Sequence, residues 1–189
     1  MAERTTRATP SARSPGHIAE SVWAVIAERG VAGVSMRSVA AQARVSTGLV
    51  QHYFSTRENL LHASMDLMVA RAATQYRRVE SPREALEHAL SHAVPASDAA
   101  RRGAAVWHAF LALSTTDARA ADILARAKTN QEREVAGLLA ELSGRPDSVL
   151  GARCLIALAD GLAARALIAD LDPAECLELI RDAIAAQLR

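Results

Sequence analysis

At 189 residues, half of them hydrophobic and 23% charged, the chain can form one sizeable core, or a small module joined to a larger one, and is too apolar to be disordered. Alanine fills 42 positions and aromatics only 3%, which argues against an all-β fold and predicts an all-α one, because alanine is the best helix former and strands favour β-branched and aromatic side chains. The net charge of +1 is unevenly spread: residues 1–57 hold seven Arg against three Glu, a balance of +4, and residues 58–189 hold 15 basic against 18 acidic residues, a balance of −3. A basic head on a mildly acidic body fits a polyanion-binding head. The basic set is 21 Arg and a single lysine, Lys128, which composition alone explains as a codon bias toward Arg.

The first 16 residues are polar, carry Arg4, Arg7 and Arg13, and end in Pro15-Gly16; a flexible basic arm is expected over 1–16, with no secretory signal. Ile18, Val22, Val25 and Ile26 then recur at helical spacing, and Gly30 and Gly33 close that first helix. Ser35 is a natural N-cap for a short helix over 36–42, and Ser46 for a second one reaching about residue 52. Ser55-Thr56-Arg57-Glu58 reads as a capping box that opens a long helix with Leu60, Leu61, Met65 and Met68 on its apolar face. Further helices follow over about 82–94, 98–114, 117–142, 147–170 and 173–188, with Pro at the first position after Ser81 and after Asp172. The total is nine helices. The longest uncharged run, 103–116, is too short for a bilayer, which needs about 20 apolar residues. Cys154 and Cys176 are isolated, and no membrane association is expected.

Residues 35–61, SMRSVAAQARVSTGLVQHYFSTRENLL, carry the functional signal. Two short capped helices joined by three residues form a helix-turn-helix, with Val39, Ala40, Ala43 and Val50 facing inward. The second helix exposes Thr47, Gln51 and His52, and its two turns fit a B-DNA major groove about 12 Å wide. Ser35 and Ser46 sit at helix N-termini, where backbone N–H groups favour a phosphate, and Arg37, Tyr53 and Arg57 are placed for the flanking backbone. Gln can bind adenine through two bonds and Thr can touch a thymine methyl.

At these positions the chain resembles the TetR family of bacterial transcriptional regulators. The resemblance rests on Gly33, Ser35-Met36-Arg37, Val39-Ala40, Val45-Ser46, Gly48, Val50, Tyr53-Phe54, Thr56-Arg57-Glu58 and Leu60. It departs at Gln51-His52-Tyr53-Phe54, where the commonest family pattern is Tyr-x-His-Phe. It implies an N-terminal helix-turn-helix domain over 17–57, and over 58–189 a larger helical domain for effector binding and dimerisation. It further implies a cytoplasmic, nucleoid-associated homodimer that binds a pseudo-palindromic operator and is released by a small molecule. Thr47, Gly48 and Gln51 are then the residues facing bases, with His52 and Leu49 beside them. Asp160-Gly161-Leu162-Ala163-Ala164-Arg165-Ala166-Leu167 followed by Asp172-Pro173 is similar to the BetI-like branch.

For the larger domain the expected effector pocket draws on Met68, Tyr76, Trp107, Phe110, Leu111 and Leu138, with His108, Asn130 and Gln131 as polar handles. No carboxylate cluster is apparent on helices 98–114 and 117–142, so the expected effector is largely apolar and uncharged. The helix running from 58 to about 78 is the expected lever between domains. The expected dimer interface consists of two helical stripes: Leu155, Leu158, Leu162 and Ala166, and Leu177, Ile180, Ile184 and Leu188. Glu84, His88 and His92 lie one turn apart and pose a rival, a helical metalloprotein or enzyme; a solvated helix face accounts for them, and no metal, cofactor or catalytic residue is expected. A helix-turn-helix activator remains the other alternative, since repression depends on where the operator lies.

Overall fold

The computed structural model describes residues 14–75, 81–146 and 148–189. Among these residues the regular structure is nine α-helices and one 3-10 turn, with no strand, and no helix is long and apolar enough to cross a membrane. The chain divides into two compact units, one ending at Met68 and the other starting at Val69.

In the first unit, α1 (Pro15–Arg29) starts two residues earlier than the sequence reading placed it. Pro15 occupies the first helical position, where the missing N–H is no loss, and Ser14 caps the turn by accepting from His17 N. The rest of the expected arm, residues 1–13, lies outside the described residues. Gly30 ends α1 at φ 66°, ψ 179°, a conformation essentially confined to glycine. After a 3-10 turn, Val31–Gly33, come α2 (Met36–Ala43), α3 (Thr47–Tyr53) and α4 (Arg57–Gln75). Thr56, not Ser55, caps α4: its Oγ1 accepts from Asn59 N at 3.1 Å, while Ser55 Oγ accepts from the Asn59 side chain. Ile18, Val22, Val25, Val39, Val50, Leu60 and Met65 are fully buried or nearly so. Trp23 ties α1 to α4 through its indole N–H, which donates to Ser64 O at 3.1 Å.

The second unit contains the last turns of α4 and α5 (Pro82–Ser91), α6 (Asp98–Ser114), α7 (Ala118–Ser143), α8 (Val149–Leu167) and α9 (Pro173–Gln187). Ser81, Ser97, Asp117 and Asp172 each cap the following helix with a side-chain oxygen. One core joins α5, α7, α8 and α9 through Leu86, Leu90, Val135, Leu139, Leu155, Leu162, Ile180 and Ile184. Helices α8 and α9 pair antiparallel. Cys176 Sγ donates to Leu162 O at 3.6 Å, and at the other end a Cβ on Gly151 would lie 2.8 Å from Gln187 Oε1.

That core corrects the expected dimer stripes. Leu155, Leu162, Ala166, Ile180 and Ile184 are buried within their own chain, and Leu177 and Leu188 pack partly against the same cluster. Of the eight, only Leu158 is exposed, at 39%. A helical stripe in sequence marks an apolar face but not what covers it, and α8 is apolar on more than one face. The face it leaves open is Leu150, Cys154, Ala157, Leu158 and Gly161, at helical spacing.

Candidate nucleic-acid interface and ligand site

The helix-turn-helix is held from three directions. Ser35 Oγ accepts from Ser38 N while Ser38 Oγ accepts from Ser35 N, a reciprocal capping box at the start of α2. The turn after α2 closes with Val45 N donating to Ala40 O at 2.9 Å, and this requires a left-handed residue. Arg44 fills that position at φ 55°, where a residue with a Cβ is strained by about 1 kcal/mol. Ser46 then caps α3 by accepting from Leu49 N at 3.2 Å.

With α2 and α3 fixed, the outward side chains are set. Arg37, Ser46, Gly48, Gln51 and His52 are exposed, Thr47 and Leu49 are half-buried, and Val50 is fully buried against the core. Tyr53 is 42% exposed, with its ring 5.3 Å from that of His52. A Cβ built on Gly48 meets nothing within 4 Å. The fold itself therefore gives no reason for a glycine inside this helix, where glycine is unfavourable relative to alanine by roughly 0.5–1 kcal/mol.

Arg57 has a structural role that the expectation did not include. Its Nε donates to Val34 O and its Nη2 to Val31 O, both at 2.7 Å. Two of the five guanidinium N–H groups thus bolt the start of α4 to the turn before α2. Arg44 lies in the three-residue connection between α2 and α3 and is not among the expected contacts. Its backbone N–H donates to Ala41 O, while its side chain is exposed and has no hydrogen-bond or ion-pair partner among the described residues. The signal for it was available: a three-residue turn needs a left-handed residue, and an Arg there in place of Gly is unusual.

In the second unit the expected pocket residues separate. Phe110 is fully buried core and Leu111 is 49% exposed, because consecutive residues of a helix point about 100° apart. Asn130 is exposed and bonded to Arg133, and His108 is bonded to its own helix at Ala104 O. Leu138 packs on the α5–α9 core, roughly 15 Å along α7 from residue 128 at 1.5 Å per residue. Met68 is the last residue of the first unit, and Tyr76 lies outside the described residues.

Two of the expected residues do meet, around partners the sequence reading did not choose. Lys128 Nζ lies 5.3 Å from the Trp107 ring centroid, 2.7 Å from both carboxylate oxygens of Asp160, and 3.1 Å from Gln131 Oε1. Gln131 Nε2 donates in turn to Ala89 O at 3.0 Å, and His92 Nδ1 lies 3.2 Å from the same carbonyl. Burial pushes the His92 imidazole below its usual range, with His88 and Lys128 acting in the same direction. Burial likewise pushes the Cys176 thiol up, with Glu175 adding to it; Cys176 is a packed neutral thiol, whereas Cys154 is exposed.

Comparison with known proteins gives the family. Residues 18–64 match the family described as bacterial regulatory proteins, tetR family, and residues 82–189 match the BetI-type transcriptional repressor C-terminal family. The chain belongs to the TetR family. It is a helix-turn-helix transcriptional regulator, BetI-like in its C-terminal part, and not an enzyme. The HTH-type transcriptional regulator PksA of Bacillus subtilis is 33% identical over 82% of this chain and 78% of its own length. A transcriptional regulator from Rhodococcus sp. RHA1 shares the TetR-type fold with a TM-score of 0.78 and 31% identity, covering 93% of this chain and 94% of that one. A regulator from Saccharomonospora viridis, whose structure was solved in complex with choline, matches at a TM-score of 0.77 over 94% and 97% of the two chains; at 21% identity it shows the fold alone.

Proposed function

We propose that this TetR-family regulator is a homodimeric repressor that binds a pseudo-palindromic operator through α3 and is released by a small-molecule effector bound in the second unit. The observation that carries the reading is Gly48: an exposed glycine on a capped two-turn helix, with open space where a Cβ would be. Its reason must lie outside the chain, and close approach to DNA supplies one. Thr47, Gln51 and His52 then face base edges and Leu49 a thymine methyl. Arg37, Arg44, the Tyr53 hydroxyl and the helix starts at Ser35 and Ser46 hold phosphates; Arg57, with two donors engaged by Val31 O and Val34 O, is assigned to the fold.

One seven-residue helix reads few base pairs, so two are needed, a helical turn or more apart. The open face of α8 supports a second copy as the partner. Gly161 sits mid-helix on that face with nothing within 4 Å of its built Cβ, which suits close packing against another helix. The effector is taken to be a small, largely apolar and uncharged molecule lodged beside Trp107 and Gln131. The choline-bound relative supports a small organic ligand in this fold. Helix α4 runs unbroken across the division between the units and is the element to carry the signal. By linkage, effector and operator must weaken each other by the same factor.

The test is selection of operator fragments with the purified protein, followed by titration across salt concentrations. Several phosphate contacts per subunit give a slope of log affinity on log salt of about −0.9 per phosphate neutralised. A flat salt response, or a monomer by light scattering at micromolar concentration, would overturn the reading.

A further inference from the structure

A cationic group held over an aromatic face and against a carboxylate is the arrangement that recognises organic ammonium ions. In the second unit that arrangement is built from four helices: Trp107 on α6, Gln131 on α7 and Asp160 on α8, with Gln131 held in place by Ala89 O on α5. The cation in it belongs to the chain itself. The Lys128 ammonium has three N–H groups and no acceptor, and it finds three partners: the Asp160 carboxylate at 2.7 Å, Gln131 Oε1 at 3.1 Å and the Trp107 ring face at 5.3 Å.

We propose that Lys128 is a tethered occupant of an organic-cation seat formed by Trp107, Gln131 and Asp160, and that it sets ligand specificity by excluding free ammonium compounds. The inference rests on the reading of the second unit as the effector-binding part. Two observations support it independently of the contacts. First, 21 of the 22 basic residues are Arg, so the one lysine stands where a compact alkylammonium on a flexible stem, rather than a planar guanidinium, fits three differently directed partners. Second, the Lys128 and Asp160 side chains are 30% and 42% exposed. An ion pair this open contributes little to stability, and solvent can reach the seat, so a free cation could enter once the lysine is gone. A tethered group competes at an effective concentration of about millimolar or more, which disfavours any free cation present at lower levels.

The probe is tetramethylammonium, titrated by calorimetry into the full-length protein and its Lys128→Met variant. The variant is expected to bind at least about tenfold more tightly than the wild type, and a Lys128→Met/Asp160→Asn double variant to lose that gain. Equal affinity of wild type and folded Lys128→Met, or a gain that survives removal of the Asp160 charge, would overturn the proposal. Because Lys128 is the only lysine, reductive [13C]methylation of the wild type labels it together with the N-terminal amine alone. Its methyl resonance is expected upfield of free dimethyl-lysine from the Trp107 ring current; a resonance at the free position overturns the proposal even if Lys128→Met fails to fold. Operator affinity, measured with and without the probe in Lys128→Met, reports separately on the effector reading.

Discussion

The two candidate sites use their cations in opposite ways. In the first, the Arg37 and Arg44 side chains point outward without partners among the described residues, and that of Arg44 does so from a strained backbone position. In the second, Lys128 is shared among Asp160, Gln131 and Trp107; in the same unit Arg153 pairs with Glu132 between α8 and α7, and Arg101 donates to Leu167 O at the end of α8. A cation left free is available to a polyanion, whereas one already neutralised is committed to packing or to choosing a small ligand. Arg57 stands between the two cases: it lies inside the family's DNA-binding motif, yet two of its five donors are engaged by Val31 O and Val34 O.

The largest expected effect tests the outward side of this contrast. Gly48→Leu adds a side chain where nothing in the chain is met and replaces a poor helix former, so the melting temperature should hold or rise. Operator affinity should fall at least about 100-fold, because α3 is displaced from base contacts worth about 1–3 kcal/mol each. Melting curves and anisotropy titrations on the same preparation check both halves. If the substitution leaves operator affinity intact, α3 does not enter the groove.

Next in size is the contrast between Arg57 and Arg37. Arg57→Ala removes two charge-assisted hydrogen bonds and leaves two carbonyls to find new partners, which should cost the first unit about 2–4 kcal/mol. Arg37→Ala should leave stability unchanged and make the salt slope of operator binding shallower by about one. Denaturant melts and salt titrations of the two variants should therefore show effects in different columns: stability for Arg57, salt slope for Arg37. The same salt slope for both would return Arg57 to the interface.

How far the sequence discloses each region follows from the same contrast. The helix-turn-helix was readable because its signals are local: caps at Ser35 and Ser46, a three-residue turn, and a short helix with only Val50 fully buried. What escaped there was the reach of Arg57 to residues 23 and 26 positions earlier in the chain, which no local pattern encodes. The second unit has mostly long helices, and in α8 alanine and leucine occur on several sides. Periodicity finds such helices but does not distinguish Leu155, buried in its own chain, from Leu158, exposed three residues later. The seat around Lys128 joins residues 107, 128, 131 and 160, and the clue to it was compositional, a single lysine among arginines.

That ambiguity on α8 can be broken directly. Leu158→Glu places a charge on the open face and should yield a folded monomer with weakened operator binding, read by light scattering and circular dichroism. Leu155→Glu buries an unpaired charge in the α5–α9 core and should unfold the second unit instead. A Leu158→Glu protein that remains dimeric would move the interface away from this face.

The smallest effect separates the buried polar groups of the second unit from its surface charges. His92, which caps the C-terminus of α5, sits among His88 on that helix, Lys128 on α7 and the Ala89 carbonyl, and burial holds its imidazole below the usual 6.5. Below pH 6.5 the unfolded chain therefore takes up a proton that the folded one refuses. The stability contributed by neutral His92 is fully present above about pH 6.5 and is lost as pH falls through that value toward the lower folded one, at no more than about 1.4 kcal/mol per pH unit for one proton. His92→Gln keeps a donor for Ala89 O and cannot titrate. The difference in unfolding free energy between wild type and His92→Gln, from urea melts between pH 5 and 8, should be constant above pH 7 and shift against the wild type below 6.5. Groups that titrate identically in both proteins cancel in that difference. A difference that stays flat across the range would mean that His92 is protonated as easily in the fold as outside it, and that its contact with Ala89 O outweighs its burial.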